Sequence, residues 1–195
     1  MIKPESLLSS GRYIDLLRPD VELLTPHVIA HSLSLQCRFN GQCNRFYSVA
    51  EHSVHVSYLC PPHLAMEGLM HDATEAVYGD IIMPLKQLFP EFKAMEQRLH
   101  SAINKKYCYY STINPEIHVA DMQMLALERK NLMPRTTDEW DCLVGIEIPD
   151  IMLRCLEPRQ AFNLFLARYY EILTDQILCL HTSPCSNTKK PLQTS

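Results

Sequence analysis

Five prolines fix where helices can start in this chain, and they constrain its fold more than any other feature. Proline has no N–H to give to a helix interior, yet it suits the first turn, where that amide has no partner anyway. Pro26, Pro62, Pro90, Pro115 and Pro158 each head a stretch whose apolar residues recur at helical spacing. The first predicted helix has Thr25 as its N-cap and runs to about Cys37. Another runs from Pro90 to about Lys106 with Phe92, Met95, Leu99 and Ile103 on one face. A third follows Pro115 with Ile117, Val119, Met122, Leu125 and Leu132 as its apolar residues, and a fourth runs from Pro158 to about Leu180, with Phe162, Phe165, Leu166, Tyr169, Ile172 and Ile177.

Ser48-Val49-Ala50-Glu51 has the form of a capping box, in which the Ser48 hydroxyl accepts from the Glu51 N–H and the Glu51 carboxylate reaches back to the Ser48 N–H. It opens a further helix that Pro61-Pro62 ends. Gly79-Asp80 and Pro84 read as breaks, Asn40-Gly41 as a turn, and Gly11 to Leu17 as a small β-hairpin or extended arm. Residues 136–149 show no clear period. The expected architecture is all-α, one compact helical domain over residues 1–180 with a short N-terminal arm. The polar, Pro-containing tail 181–195 is expected to be mobile.

Composition limits the functions open to such a domain. With 47% hydrophobic residues, 195 residues suffice for one sizeable core. A formal net charge of −4 argues against a protein that coats a nucleic-acid polymer, which needs many Lys and Arg on one face. No run of 18 apolar residues occurs and the N-terminal stretch lacks an apolar targeting core, so a cytoplasmic protein is expected, in the host cytoplasm if the source is viral. Without a secretion signal, the eight cysteines read as reduced thiols. There is no C-x-x-C, and the spacing of Cys37 and Cys43 is looser than that of paired ligands in a zinc knuckle.

The chemistry concentrates between Ser48 and Asp80. His52 falls in the first turn of one helix, an adjacent His71-Asp72 pair falls near the end of the next, and Glu75 and Asp80 follow. Imidazole and carboxylate together suit a first-row divalent cation. Asp121, a carboxylate among apolar residues of a later helix, is the candidate fourth ligand. Neighbours in a helix diverge by about 100°, so His71 and Asp72 can share an ion only if it lies between their two directions. Glu75, four residues after His71, falls on the same face. His55 shares a face with His52 but completes no H-E-x-x-H, and the remaining histidines read as ordinary hydrogen-bonded residues. Arg12 and Lys86 could each neutralise phosphate oxygens, the first as a planar fork and the second as a point charge.

Taken together, S-V-A-E-H-S-V-H-V-S and H-D-A-T-E-A-V-Y-G-D-I-I-M-P-L-K resemble the HD-domain phosphohydrolase superfamily. Within it the pattern looks most like the bacterial 5'-deoxynucleotidases and the small phage dATP triphosphohydrolases. The resemblance covers roughly Gly11 to Arg129, and V-A-D-M-Q-M-L-A-L-E places Asp121. It implies a compact helical fold with His52, His71, Asp72 and Asp121 as metal ligands, and Glu75 and Asp80 beside the reacting phosphate. Arg12 matches an arginine that holds phosphate in the deoxynucleotidases, and Tyr13 stands where they commonly carry a tryptophan beside the sugar.

The expectation is a metal-dependent phosphohydrolase of deoxynucleotides, with dATP cleaved to deoxyadenosine and triphosphate. Hydrolysis of deoxynucleoside monophosphates is the nearest alternative, and a catalytically silent nucleotide-binding regulator is the alternative of another class. Glu75, Asp80 and Lys86 are the expected catalytic residues. Arg12, Tyr13 and Lys86 are expected to touch substrate. The cofactor is expected to be Co, Mn, Zn or Ni, with Glu75 and Asp80 able to hold a second ion such as Mg. The expected partners are a small-molecule deoxynucleotide and further copies of the chain, with no nucleic-acid polymer and no membrane.

Overall fold

In the computed structural model, which describes residues 3–108 and 114–182 and the side chains among them as far as 178, a central helix is buried on most of its sides. It is the helix opened by Ser48, α2 (Val49–Leu59), which packs against α1 (Pro26–Leu35), α3 (Ala65–Met70), α7 (Pro115–Leu132) and α8 (Pro158–Thr182). Small and apolar residues make this possible, since Val49, Ala50, Ser53, Val54, Val56 and Ser57 are all buried. At Gly68 of α3 an added Cβ would lie 2.7 Å from Cys60 Sγ and 3.1 Å from Ser57 Cα, so only glycine permits this close crossing.

The other elements are β1 (Glu5–Leu7) and β2 (Tyr13–Asp15), the short helices α4 (Glu75–Tyr78) and α5 (Met83–Lys86), and α6 (Pro90–Tyr107). The two strands pair antiparallel, with Ser6 opposite Ile14 and Leu7 opposite Tyr13. The protein is therefore mostly helical as expected, and the N-terminal hairpin starts at Glu5, so the expected Gly11–Leu17 stretch supplies only its second strand. Ile14 is fully buried and the Tyr78 hydroxyl donates to the Leu16 carbonyl at 2.9 Å, which ties the hairpin to the helix carrying Glu75. No helix among the described residues is long and apolar enough to cross a membrane.

Helix starts follow the local signals. The Thr25 hydroxyl accepts from the Val28 N–H at 3.3 Å, the Ser48 hydroxyl accepts from the Glu51 N–H at 3.1 Å, and Pro26, Pro90, Pro115 and Pro158 sit at helix heads. Pro62 opens a single 3-10 turn ahead of α3, and Pro84 lies in the first turn of α5 instead of breaking the chain. On α7 the buried stripe is Ile117, Ala120, Met124 and Leu127, the spacing a 3.6-residue period selects, and Val119 lies on the solvent side, 53% exposed. Ile177 of α8 is likewise exposed. The 136–149 segment holds one 3-10 turn, Asp141–Leu143. α8 extends to Thr182, and the rest of the expected mobile tail, 183–195, lies outside the described residues.

Half of the capping box is absent, for a physical reason. The Glu51 carboxylate does not return to Ser48 but accepts from the backbone N–H groups of Arg154, Cys155 and Leu156 at 2.9, 3.0 and 2.7 Å. These amides are the stronger partners because Cys155 turns through φ 53° and has no ladder to join. One fully buried carboxylate thus fastens the segment before α8 onto the central helix. Removing the acceptor of these three amides, one buried and two part-buried, costs about 1–3 kcal/mol for the buried one and about 0.5–1.5 kcal/mol for each of the others. Glu51→Ala should therefore lower unfolding free energy in urea by at least about 2 kcal/mol; a change below about 1 kcal/mol would show that water replaces the carboxylate.

Candidate metal centre

Two histidine rings meet where α2, the end of α3 and α7 converge. His52 enters from the first turn of α2, and its Nδ1–H donates to Glu128 Oε1 at 2.6 Å. His71 caps the end of α3, and its Nδ1–H donates to the Gly68 carbonyl one turn back at 2.8 Å. With both Nδ1 atoms engaged as donors, it is the Nε2 atoms that are left to give up a proton and bind a metal, and they face each other at 3.3 Å. Asp72 leaves the helix in a turn, so its carboxylate converges with the preceding ring: Oδ2 is 3.2 Å from His71 Nε2 and 3.6 Å from His52 Nε2. Asp121 approaches the same rings from α7, its Oδ1 lying 3.2 Å from His52 Nε2 and 3.8 Å from His71 Nε2.

His52, His71 and Asp72 could hold a metal ion, since one donor atom from each lies within 4.8 Å of the others. Donors at about 2.1 Å from a metal stand about 3.0 Å apart in an octahedral shell and about 3.4 Å in a tetrahedral one, and the observed separations lie around those values. A second observation agrees. Asp72 Oδ2 is buried and makes no well-formed hydrogen bond, its neighbours being the two Nε2 atoms and Arg38 Nη1 at 3.2 to 3.6 Å, and the mixed imidazole and carboxylate donors suit a first-row divalent cation.

Two residues that sequence reasoning missed hold this group in place. Glu128 is fully buried on α7, seven residues beyond Asp121. Its Oε2 accepts from Arg38 Nε at 3.3 Å and Nη2 at 3.1 Å while Oε1 serves His52. Arg38 then turns Nη1 toward Asp72 Oδ2 at 3.5 Å. A carboxylate on the otherwise apolar stripe of α7 was the available signal for Glu128. Gln36 was also missed: its amide donates to the Glu75 carbonyl at 3.0 Å and accepts from the Asp80 N–H at 2.9 Å, while its extended backbone ends α1 before Cys37, its carbonyl accepting from the Val49 N–H at 3.1 Å.

The carboxylates divide into two groups by their neighbours. Burial would raise Asp72, but the charges of His71, His52 and Arg38 hold it well below the usual carboxylate range. Asp121 and Glu128 are lowered for the same kind of reason. Glu75, 4% exposed, is pushed well above the ordinary glutamate value by burial and by the charges of Asp72 and Asp80, and Asp80 is also raised, chiefly by burial. Lys86 donates to Glu96 at 2.6 Å and stands 3.8 Å from Glu75, so its charge is shared between two carboxylates. Arg12 and Tyr13 are exposed on the hairpin, and among the described residues no hydrogen bond or ion pair joins either to the centre.

Burial and Arg38 lower His52, but Glu128 and Asp121 outweigh them and bring it up to about 9, so the metal-free ring binds a proton at neutral pH. A metal must displace that proton, so affinity for a divalent ion should rise as pH increases from about 6.5 toward 9. The stability that the protonated ring gives the metal-free fold runs the opposite way: it is complete below about 6.5 and is lost as pH rises through about 9. Calorimetric titration with Mn across this range checks the first expectation, and a flat affinity would contradict it. In the same assay Glu128→Gln should weaken metal binding about 10-fold to 100-fold, the usual effect of altering the partner of a ligating histidine.

Comparison with known proteins adds relatives without adding an activity. The chain is 41% identical over 145 residues to YfdR of Escherichia coli K12, covering 74% of this chain and 82% of that protein. It is 30% identical over 182 residues to RCAP_rcc00048 of Rhodobacter capsulatus, covering 84% of this chain and 93% of the relative. Both relatives are described as uncharacterized. No family model matches the chain.

Proposed function

The chain belongs to the family of Escherichia coli YfdR, and from the centre it carries we propose that it is a metal-dependent phosphohydrolase of the HD-domain type, acting on deoxynucleotides. The reading rests above all on one observation, the two imidazole Nε2 atoms turned toward each other by Glu128 and the Gly68 carbonyl with Asp72 and Asp121 beside them. His52, His71, Asp72 and Asp121 would hold a divalent ion, with Mn, Co, Zn or Ni suited to two nitrogens and two carboxylates. Such an ion would supply positive charge to phosphoryl oxygens and a more acidic water.

The protein's own groups then divide the work. Glu75 carries the proton. Burial and the nearby Asp72 and Asp80 raise its proton affinity, which suits it, in its ionised form, to take a proton from the attacking water and return it to the leaving group. Gln36 fixes the backbone at both Glu75 and Asp80, and Lys86 keeps one positive charge beside Glu75. Asp80 stands as the adjacent carboxylate, available with Glu75 for a second ion. Arg12 and Tyr13 are assigned to phosphate and sugar because Tyr78, three residues after Glu75, ties their hairpin to this side of the molecule. The favoured substrate is dATP, cleaved to deoxyadenosine and triphosphate.

A release assay over mono- and triphosphates with Mn, Co, Mg and Zn tests the reading. Deoxyadenosine and triphosphate should appear from dATP only with a divalent ion. Glu75→Gln should keep its metal and lose about 10²-fold to 10⁴-fold in rate; near wild-type turnover would make Glu75 a bystander. Tyr13→Ala should narrow the dATP to ATP ratio in kcat/KM without changing metal content. An unchanged ratio would place sugar selection elsewhere.

A further inference from the structure

The turn between α1 and α2 holds two thiols that hydrolysis does not use. Cys37 Sγ and Cys43 Sγ lie 3.6 Å apart, and both side chains are half-buried. A disulfide needs about 2.05 Å, so an approach of about 1.5 Å would close the bond. The backbone anchors both sides of the turn. Cys37 bridges Ser48, the Arg38 N–H donates to the Tyr47 carbonyl at 2.9 Å, and the Asn44 N–H donates to the Leu132 carbonyl at 2.8 Å. Between these anchors Phe39, Asn40 and Gly41 all take left-handed conformations, with φ of 56°, 51° and 75°. An aromatic residue rarely adopts that region, and here it folds the chain back so that the two sulfurs meet.

The same turn carries Arg38. Cys43 Sγ donates to the Arg38 carbonyl at 3.2 Å, while the Arg38 guanidinium contacts Asp72 and Glu128. We propose that Cys37 and Cys43 form a reversible disulfide on exposure to a peroxide, and that its closure displaces Arg38 and weakens the metal centre. In the first step the Cys37 thiolate, after giving its proton to solvent, attacks one peroxide oxygen. The O–O bond breaks, a sulfenic acid forms, and the departing oxygen takes up the proton to leave as water. In the second step the Cys43 sulfur attacks the sulfenic sulfur, the S–S bond forms, and the sulfenic oxygen leaves with the Cys43 proton as a second water. Two electrons pass from the thiol pair to the peroxide, and a dithiol reverses the change.

The test uses the full chain, reduced and then treated with hydrogen peroxide. Trypsin cuts after Arg38 and after Arg45, so without reduction the bond links the peptide ending at Arg38 to the peptide Phe39–Arg45. Mass spectrometry should find this linked pair, lighter by two hydrogens than its parts and lost on treatment with dithiothreitol. Oxidised wild type should bind Mn at least about threefold more weakly than reduced protein by calorimetry, a loss of about 0.65 kcal/mol. Dithiothreitol should restore the affinity, and Cys37→Ser and Cys43→Ser should show neither the link nor the loss. Absence of the linked pair in oxidised wild type, whatever the variants do, would overturn the proposal. A linked pair with unchanged Mn affinity would overturn its coupling to Arg38. The coupling rests on the metal-centre reading: if reduced protein binds no divalent ion, that reading fails, whereas peptide mapping judges the disulfide alone.

Discussion

Glu128 is the group on which the rest of the site depends. Burying a carboxylate costs several kcal/mol unless its oxygens are satisfied, and both oxygens of this one are, by Arg38 and by His52. The arrangement joins three separate parts of the chain, the turn after α1, the start of α2 and the middle of α7. It also sets the chemistry of its partners: His52 must present Nε2, and Arg38 is brought to Asp72. Truncating Glu128 would leave two buried cations without their shared anion, and so would damage the fold together with the site.

Electrostatics then sorts five acidic groups in a small volume into two roles. Asp72, Asp121 and Glu128 face imidazole or guanidinium and are held as carboxylates. Glu75 and Asp80 lie beside those carboxylates and behind a burial penalty, so they hold protons more tightly than usual. Separation of this kind equips a site with fixed anions to bind a cation and with a proton carrier beside them. Lys86, bonded to Glu96, limits how far Glu75 can rise without supplying a free charge of its own. The proposed role of Glu75 follows from that balance.

Helix starts were legible in the sequence because proline and hydroxyl caps act within a single turn, as at Thr25, Ser48, Pro90 and Pro115. His52, His71 and Asp72, which together could hold a metal ion, were legible because their types and spacing carry chemistry, and Asp121 stood out as a carboxylate among apolar residues. What escaped depends on partners distant in the chain. Glu128 meets His52 across 76 residues and Arg38 across 90, and neither contact leaves a local pattern. α1 stops short of Cys37 because the extended backbone there pairs with Ser48 and Val49, and the Gln36 side chain meets Glu75 and Asp80, 39 and 44 residues away. Glu51 failed as half of a capping box because amides more than 100 residues later offered a better partner. Cys37 and Cys43 looked too widely spaced for zinc, and only the left-handed run between them brings the sulfurs together.

X-ray absorption spectroscopy of the full chain loaded with cobalt tests the central claim most directly, because it counts ligand types around the ion. The account predicts two imidazole nitrogens with the remaining donors oxygen in the wild-type protein, and one imidazole nitrogen in whatever metal His71→Ala retains. A wild-type spectrum with oxygen donors alone, or with sulfur, would contradict it.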